Sequence, residues 1–589
     1  MSKSDPGKFT NRRLAPGQAR RAAFDHLSRL LTIAPKPRWT TPTLIVVGLG
    51  SSFAETVGIT LIILFFYSAM GQLDTATMSD GIWGQILHYV SGWFDTSAQM
   101  AVAILLLIVA RGGLAFANNI VSAHVSEQIN EKARNLIHEQ YLSVAYSFIQ
   151  RHEQAHLMEV LGTESWLIAG AYGSLTRIII SGCSILVFTV ILFALSWQIT
   201  LTAIVGSLLI STGLRRLSEP AQELGKQVKR VHQMLGEHML MTLEGLRTIR
   251  AYGQEGVHQR RFIRTSAEAR QTSIALTRLW SLLNPLTEVG YLGILCLVIA
   301  GSSLWDTSFA TTLAAVALLY RLQPHTREME GNLLYMAQIE PQLRSVLMML
   351  QKDDKEYPAP GHLPIRSLRK SIRFDGVTFQ YQAGSKPALK DVSFEIPAGV
   401  TTALVGASGA GKTTIINLLL RLYQPSSGRI WVDDMSMEEV RRTEWLRLLA
   451  VAGQDVDLVE GNVIDNIRMA DNDATEQEVI AASRIAGVSD FIEPLPEGYA
   501  TWVGQQGLRF SGGQRQRLGL ARAILRNPDF LMLDEAMNAL DRELEGRIRR
   551  AIADRFAGRT ILIITHRLES VLDVDNIIRI EDGIVVAPT

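Results

Sequence analysis

A run of 37 residues from Ile178 to Leu214 without one charged side chain constrains this chain more than any other feature. About 20 apolar residues of helix cross the hydrocarbon core of a bilayer. A run of this length therefore crosses twice, with the polar and interfacial residues Ser196, Trp197 and Gln198 at the turn. Four further stretches are each long enough to cross once. They are Thr41 to Met70, broken only by Glu55; Met100 to Val121, broken by Arg111; Leu279 to Ser303, with Pro285 and Glu288; and a stretch from Thr307 past Tyr320. Six spanning helices are expected.

Lysine and arginine favour the cytoplasmic side of such helices. None occurs between Arg38 and Arg111, where the loop between helices one and two carries only Asp74, Asp80 and Asp95, so that loop is expected outside. The segments Ser122 to Glu164 and Arg215 to Arg270 carry both signs of charge and read as helices extending into the cytosol. Their tips, near Ser147 to Glu159 and Gly245 to Gln254, are candidate coupling elements. Residues 1–40 hold nine Lys/Arg against Asp5 and Asp25 and no short apolar core with a cleavage site, so they read as a cytosolic membrane-surface segment rather than a signal peptide. Charges at membrane depth suggest function by default, and Glu55, Arg111, Arg177, Glu288, Arg321, Arg327 and Glu328 qualify. Some of the arginines could instead lie near an interface or pair with the acids.

The composition changes after a linker with Pro358, Pro360 and Pro364. The organisation expected is residues 1–40 as the N-terminal segment, 41–350 as the membrane domain, 351–366 as linker and 367–589 as a soluble α/β domain. A net charge of +1 gives no basic face for nucleic acid. Cys183 and Cys296 sit in apolar runs without ligand-like spacing, so neither a disulfide framework nor a zinc site is expected.

The soluble part carries phosphate chemistry. Gly406-Ala-Ser408-Gly409-Ala-Gly411-Lys412-Thr413, followed by Thr414, lies between the strand-like run Thr401 to Val405 and the helix-like run Ile415 to Leu422. That is the required context of a phosphate-binding loop. Its glycines let the backbone wrap the phosphates, Lys412 reaches the β- and γ-phosphates, and the Thr413 hydroxyl can ligate magnesium. Phe530 to Asp534 reads as a buried strand ending in two acids. Asp534 can hold magnesium through water and Glu535 can polarise the attacking water. A second strand, Thr560 to Thr565, ends at His566, which could reach the γ-phosphate.

Phe510-Ser511-Gly512-Gly513-Gln514, between the loop and the acid pair, resembles the signature sequence of ATP-binding-cassette (ABC) proteins. Six helices before one cassette resemble the exporter-type half-transporter. The resemblance implies an all-α membrane domain followed by an α/β P-loop ATPase of ABC type, with ATP and Mg2+ as cofactors. It assigns Tyr381 to adenine stacking, Gln454 to sensing magnesium and the membrane domain, Asn538 to Asp541 to the D-loop, and His566 to the switch histidine. It further implies that Ser511 to Gln514 serve a nucleotide held by a second subunit, either another copy of this chain or a related half-transporter. Phe510 stands where leucine is common before the signature serine. Trp502, Gln505 and Gln506 replace charges usual in the exporter X-loop, and Asn538 replaces a commoner serine. None of these removes a catalytic group. The function expected is ATP-driven transport by alternating access, chiefly export of an amphipathic or peptidic compound, in a bacterial inner membrane with the N-terminus and the ATPase domain cytoplasmic. Siderophore-type import and an ATP-gated regulator are the alternatives.

Overall fold

The computed structural model describes residues 16–34, 39–69, 89, 92–94, 96–302, 305, 309–382, 384–453, 456–504, 510–535, 537, 542–566 and 574–586. Two compact units result: one ends its first part at Leu142 and adds His152–Asp354, and the other joins Ser143–Arg151 to the chain from Lys355 onward.

The first unit is helical. Its long members are α2 (Thr40–Ala69), α3 (Ser97–Ser143), α6 (Ser165–Leu195), α7 (Trp197–Glu244), α9 (Glu255–Ser302) and α10 (Phe309–Gln338), after α1 (Pro16–Ile33). The helices α3, α7 and α9 span 47 or 48 residues. At 1.5 Å per residue each is about 70 Å long, more than twice a hydrocarbon core, so their outer parts extend into water. The uncharged run divides at Ser196, whose extended backbone (φ −163°) ends α6 and whose Oγ caps α7 through the Ile199 N–H. Short helices occupy the tips: α5 (Gln154–Glu159) at the first and α8 (Leu246–Ala251) at the second, while α4 (Tyr146–Arg151) belongs to the second unit.

The helix α7 packs along α9, α6 along α10, and α2 along α6. Phe188, Leu192, Ile199, Ile294, Val298 and Leu318 fill the space between them. Leu105, Leu106 and Val109 of α3 are more than half exposed, which suits a lipid-facing surface. Inside the bundle Thr176, Thr189, Thr200 and Thr202 return their hydroxyls to the carbonyl four residues earlier, so these four hydroxyls are satisfied within their own helices. Four described helical stretches are long and apolar enough to cross a membrane, Pro42–Ile62, Ser97–Ser143, Gln154–Leu195 and Pro285–Ser302, and Trp197–Gly213 is a shorter apolar one. The helix α10 is less apolar because Arg321, His325, Arg327, Glu328 and Glu330 interrupt it. After it, α11 (Glu340–Leu350) closes the unit.

The second unit holds two sheets. An antiparallel sheet has the order β2-β1-β4-β5, with β1 at Ser371–Phe379, β2 at Leu389–Pro397, β4 at Ser427–Val432 and β5 at Met435–Ser436. A six-stranded sheet has the order β10-β9-β3-β8-β7-β6, with β3 at Thr401–Val405, β6 at Leu449–Ala452, β7 at Phe530–Asp534, β8 at Thr560–Thr565, β9 at Asn576–Glu581 and β10 at Ile584–Val586. All its pairings are parallel except β9 with β10. The alternating and continuous apolar runs explain the layers. Phe374, Ile396, Leu404, Ile415, Trp445 and Phe530 form a core between the sheets around α12 (Lys412–Leu419). On the other side Val463, Val479, Leu518 and Leu531 pack a helical layer made of α14 (Val463–Arg468), α15 (Glu476–Ile485) and α17 (Gly512–Arg526). The helix α13 (Arg442–Leu448) adds Trp445 to the first core and α16 (Ser489–Ile492) adds Ile492 to the second, and α18 (Arg542–Arg555) follows β7.

Candidate functional site

Sheet order brings the phosphate chemistry together. Strands β3, β8 and β7 are adjacent and parallel, with Val405 paired to Thr565 and Asp534 to Ile564. Their carboxyl ends therefore deliver Gly406, His566 and the acid pair to one edge, where open α/β sheets bind ligands. No hydrogen bond among the described residues joins Ser511 to Gln514 to this edge.

The loop after β3 turns into α12 on glycines that nothing larger can replace. A Cβ at Gly406 would lie 2.3 Å from the Ile580 carbonyl oxygen. Gly411 has φ +107°, and a Cβ there would lie 2.9 Å from the Ala388 oxygen; Gly409 is also left-handed, at φ +81°. Lys412 is 8% exposed. Its Nζ donates to the carbonyls of Gly406 (2.7 Å) and Ala407 (2.9 Å), so the ammonium stands in the mouth of its own loop. The first turn of α12 adds N–H groups that have no intrahelical acceptor. Loop, lysine and helix start form a donor set that suits a polyphosphate.

Glu535 leaves β7 with φ +51°, an uncommon backbone for a residue bearing Cβ, and its N–H donates to the Ile564 carbonyl of the neighbouring strand. Such an outlier costs about 1–3 kcal/mol and persists where the surroundings impose it. The turn aims the carboxylate at His566, with Oε1 2.8 Å from Nδ1. The structure thus joins two residues that the sequence separates by a whole strand and helix.

Tyr381 is 40% exposed. Its ring meets Phe379 and Tyr423 edge-on at 4.9 and 5.3 Å, and its hydroxyl lies 3.1 Å from Thr414 Oγ1 in the first turn of α12. Tyr423 was not singled out from the sequence, where no motif marks it. It holds Tyr381 from behind and also meets Tyr146 of the 143–151 segment at 5.9 Å. Around them lies a cavity of about 310 Å³ within this unit.

Ser511 caps α17 in a reciprocal box: its Oγ accepts from the Gln514 N–H at 3.3 Å, and Gln514 Oε1 accepts from the Ser511 N–H at 2.8 Å. Gly512 and Gly513 form the helix start beside it. Phe510 anchors the turn, 7% exposed and edge-on to Phe491. Gln454, Asn538 to Asp541, Gln505 and Gln506 lie outside the described residues.

At membrane depth Glu55 is 6% exposed and meets Arg111 at 2.9 Å, Arg321 at 3.2 Å and His325 at 3.6 Å. The sequence pointed to the first three. His325 escaped because a histidine carries no fixed charge to mark it in an apolar run. Glu328 accepts from Ser181 and Glu330 from Ser211.

A nucleotide-phosphate site at the strand ends of a P-loop sheet, in one chain with a bundle of membrane-length helices, defines a membrane-coupled P-loop ATPase. The ABC transporter transmembrane region matches residues 44–319 and the ABC transporter ATPase family matches residues 389–538. The ATP-dependent lipid A-core flippase of Yersinia pestis is 31% identical over 83% of this chain and 84% of its own length. The heterocyst differentiation ATP-binding protein HepA of Nostoc is 28% identical over 91% of this chain and 88% of its own. A bacterial Atm1-family ABC exporter with ATP bound superposes with a TM-score of 0.76 at 23% identity, covering 97% of this chain and 95% of that one. The chain belongs to the ABC transporter family. It is an ATP-hydrolysing membrane transporter on the exporter half-transporter plan, and its cassette binds ATP.

Proposed function

We propose that two copies of this chain export an amphipathic compound from the cytoplasmic side of a bacterial inner membrane, with ATP hydrolysed at two composite sites. The observation that carries this reading is the meeting of the phosphate loop, Asp534, Glu535 and His566 at one sheet edge, while the capped signature helix makes a second phosphate nest apart from them. With no hydrogen bond among the described residues to its own loop, this nest is assigned to the loop of a partner copy. Lys412 and the loop N–H groups hold the phosphates and Tyr381 stacks on the base. Glu535, oriented by His566, accepts hydrogen-bonding from the attacking water, and His566 steadies that carboxylate and donates toward the γ-phosphate. The family resemblance assigns Gln454 and Asp541 to the same nucleotide.

Magnesium fits this donor set. Thr413 offers one hydroxyl and Asp534 one carboxylate, and no cluster of three or more His, Cys, Asp or Glu able to hold a metal exists among the described residues. Mg2+ with a nucleotide needs few protein ligands, since phosphate oxygens and water supply the rest. When bound it neutralises phosphate charge.

The lysine and arginine pattern supports a cytosolic N-terminus and cassette. The flippase relatives, which are named for lipid A-core, support an amphipathic cargo. ATP-dependent accumulation of amphiphiles in inside-out vesicles tests the direction. Accumulation confined to right-side-out vesicles would overturn export in favour of import.

A further inference from the structure

A cavity of about 300 Å³ opens between α6, α7, α9 and α10, wholly within the helical unit. Its lining differs along the helices. Leu192 and Thr200 line it beside the Ser196 turn, while Ser211, Arg327 and Glu330 line it deeper along the same helices. Ser211 follows Thr200 by about 17 Å of helix rise, and Arg327 stands about 27 Å along α10 from Phe309, close to the full thickness of a hydrocarbon core. One end is thus mainly apolar and lies toward the Ser196 turn, and the other is polar and near the inner interface.

The polar end is unbalanced. Arg327 is half-buried, and its Nε–H is enclosed without an acceptor among the described residues. Its neighbouring acids are engaged elsewhere: Glu328 accepts from Ser181 at 3.0 Å, and Glu330 accepts from Ser211 at 2.6 Å. Among the described residues no carboxylate lies within ion-pair distance of Arg327. Glu55, by contrast, gathers Arg111, Arg321 and His325. A guanidinium held in an apolar wall without a counter-ion is costly unless something brings one. Its planar fork matches phosphate and carboxylate.

Resting on the reading that the chain exports an amphipathic compound, we infer that this cavity is a binding site for an anionic amphiphile, its phosphate or carboxylate head on Arg327 and its hydrocarbon tail toward Leu192. The polarity of the cavity matches an amphiphile whose head lies at the inner interface and whose chain points away from it, toward the Ser196 turn. Tyr291, whose hydroxyl is tied to Thr326, forms part of the wall between the two ends.

The test uses the full-length protein in phosphatidylcholine nanodiscs and three amphiphiles with the same chain: dodecyl phosphate, dodecyltrimethylammonium and dodecyl maltoside. Equilibrium titration should show dodecyl phosphate binding about tenfold or more tighter than the other two, the contribution of a charge-assisted contact. Arg327→Gln should erase that preference. Arg327→Lys, which keeps the charge and loses the fork, should retain part of it and guards against misfolding of the glutamine variant. Glycerol phosphate alone should not compete; competition equal to that of dodecyl phosphate would assign the site to a soluble anion and overturn the amphiphile. Equal binding of the three heads, or a preference that survives in Arg327→Gln, would also overturn it. ATP-dependent accumulation in inside-out vesicles reads export separately. Transport without head preference sinks only the Arg327 site, whereas no transport of any of the three sinks the export reading.

Discussion

Replacing Glu535 by glutamine alters one charge and little else, which makes the effect calculable. The amide has the volume of the carboxylate, and its oxygen can still accept from His566 Nδ1, 2.8 Å away in the native site. The left-handed backbone, φ +51°, burdens both residues equally. Stability should therefore change by less than about 1 kcal/mol. Lost instead is the negative oxygen that polarises water, a role worth about 10²–10⁴ in rate, or about 3–5 kcal/mol of activation free energy. ATP affinity rests on Lys412 and the loop, so the half-saturating ATP concentration should stay within about threefold. Glu535→Gly supplies the contrast. Glycine removes the left-handed penalty of about 1–2 kcal/mol while the His566 hydrogen bond, about 1 kcal/mol, is lost. Its melting temperature should hold or rise even as turnover disappears. The assay is steady-state phosphate release by the purified protein in nanodiscs, with nucleotide binding and melting measured on the same samples. Turnover of Glu535→Gln within about threefold of wild type, or loss of ATP binding along with hydrolysis, would refute the reasoning.

Lys412→Ala removes the ammonium that stands at the loop mouth and should weaken nucleotide binding itself, seen as lost ATP-dependent protection from thermal unfolding; unchanged affinity would contradict the loop's role. In mixed dimers, one copy carrying Ser511→Arg and the other Lys412→Ala, one composite site stays intact, so some hydrolysis should survive while both mutant homodimers are inactive. Vigorous turnover by the Ser511→Arg homodimer would end the shared-site scheme. Glu340, buried beside Arg344, Lys226 and Lys229, has its carboxyl pushed above the usual value chiefly by burial. A raised folded-state pKa favours the protonated form, so its contribution is fully present below the unfolded value and is lost as pH rises through the folded one. Glu340→Gln should therefore raise the melting temperature near about pH 8 and change it little near about pH 4, below the ordinary carboxylate range; the opposite order would show that its cationic neighbours outweigh burial.

The sequence by itself determined the parts whose signal is local. An uncharged run interrupted by Ser196, Trp197 and Gln198 has to be a hairpin in a bilayer, and α6 and α7 divide at Ser196. The spacing of Gly406 to Thr413 encodes a strand, a turn and a helix in series, and β3, the loop and α12 follow in that order. Tertiary structure decided what depends on residues far apart in the chain. Only the strand order β3-β8-β7 sets His566 against Glu535 and both beside Lys412's loop. No pattern around Tyr423 announces that its ring supports Tyr381, because the contact joins the end of one helix to the end of a strand in another sheet. The charges of the membrane helices were visible one by one, yet which of them pair was not. Helix packing gives Glu55 three cationic partners and leaves Arg327 with none among the described residues, since side-chain reach across a bundle depends on helix rotation, which a one-dimensional pattern does not fix.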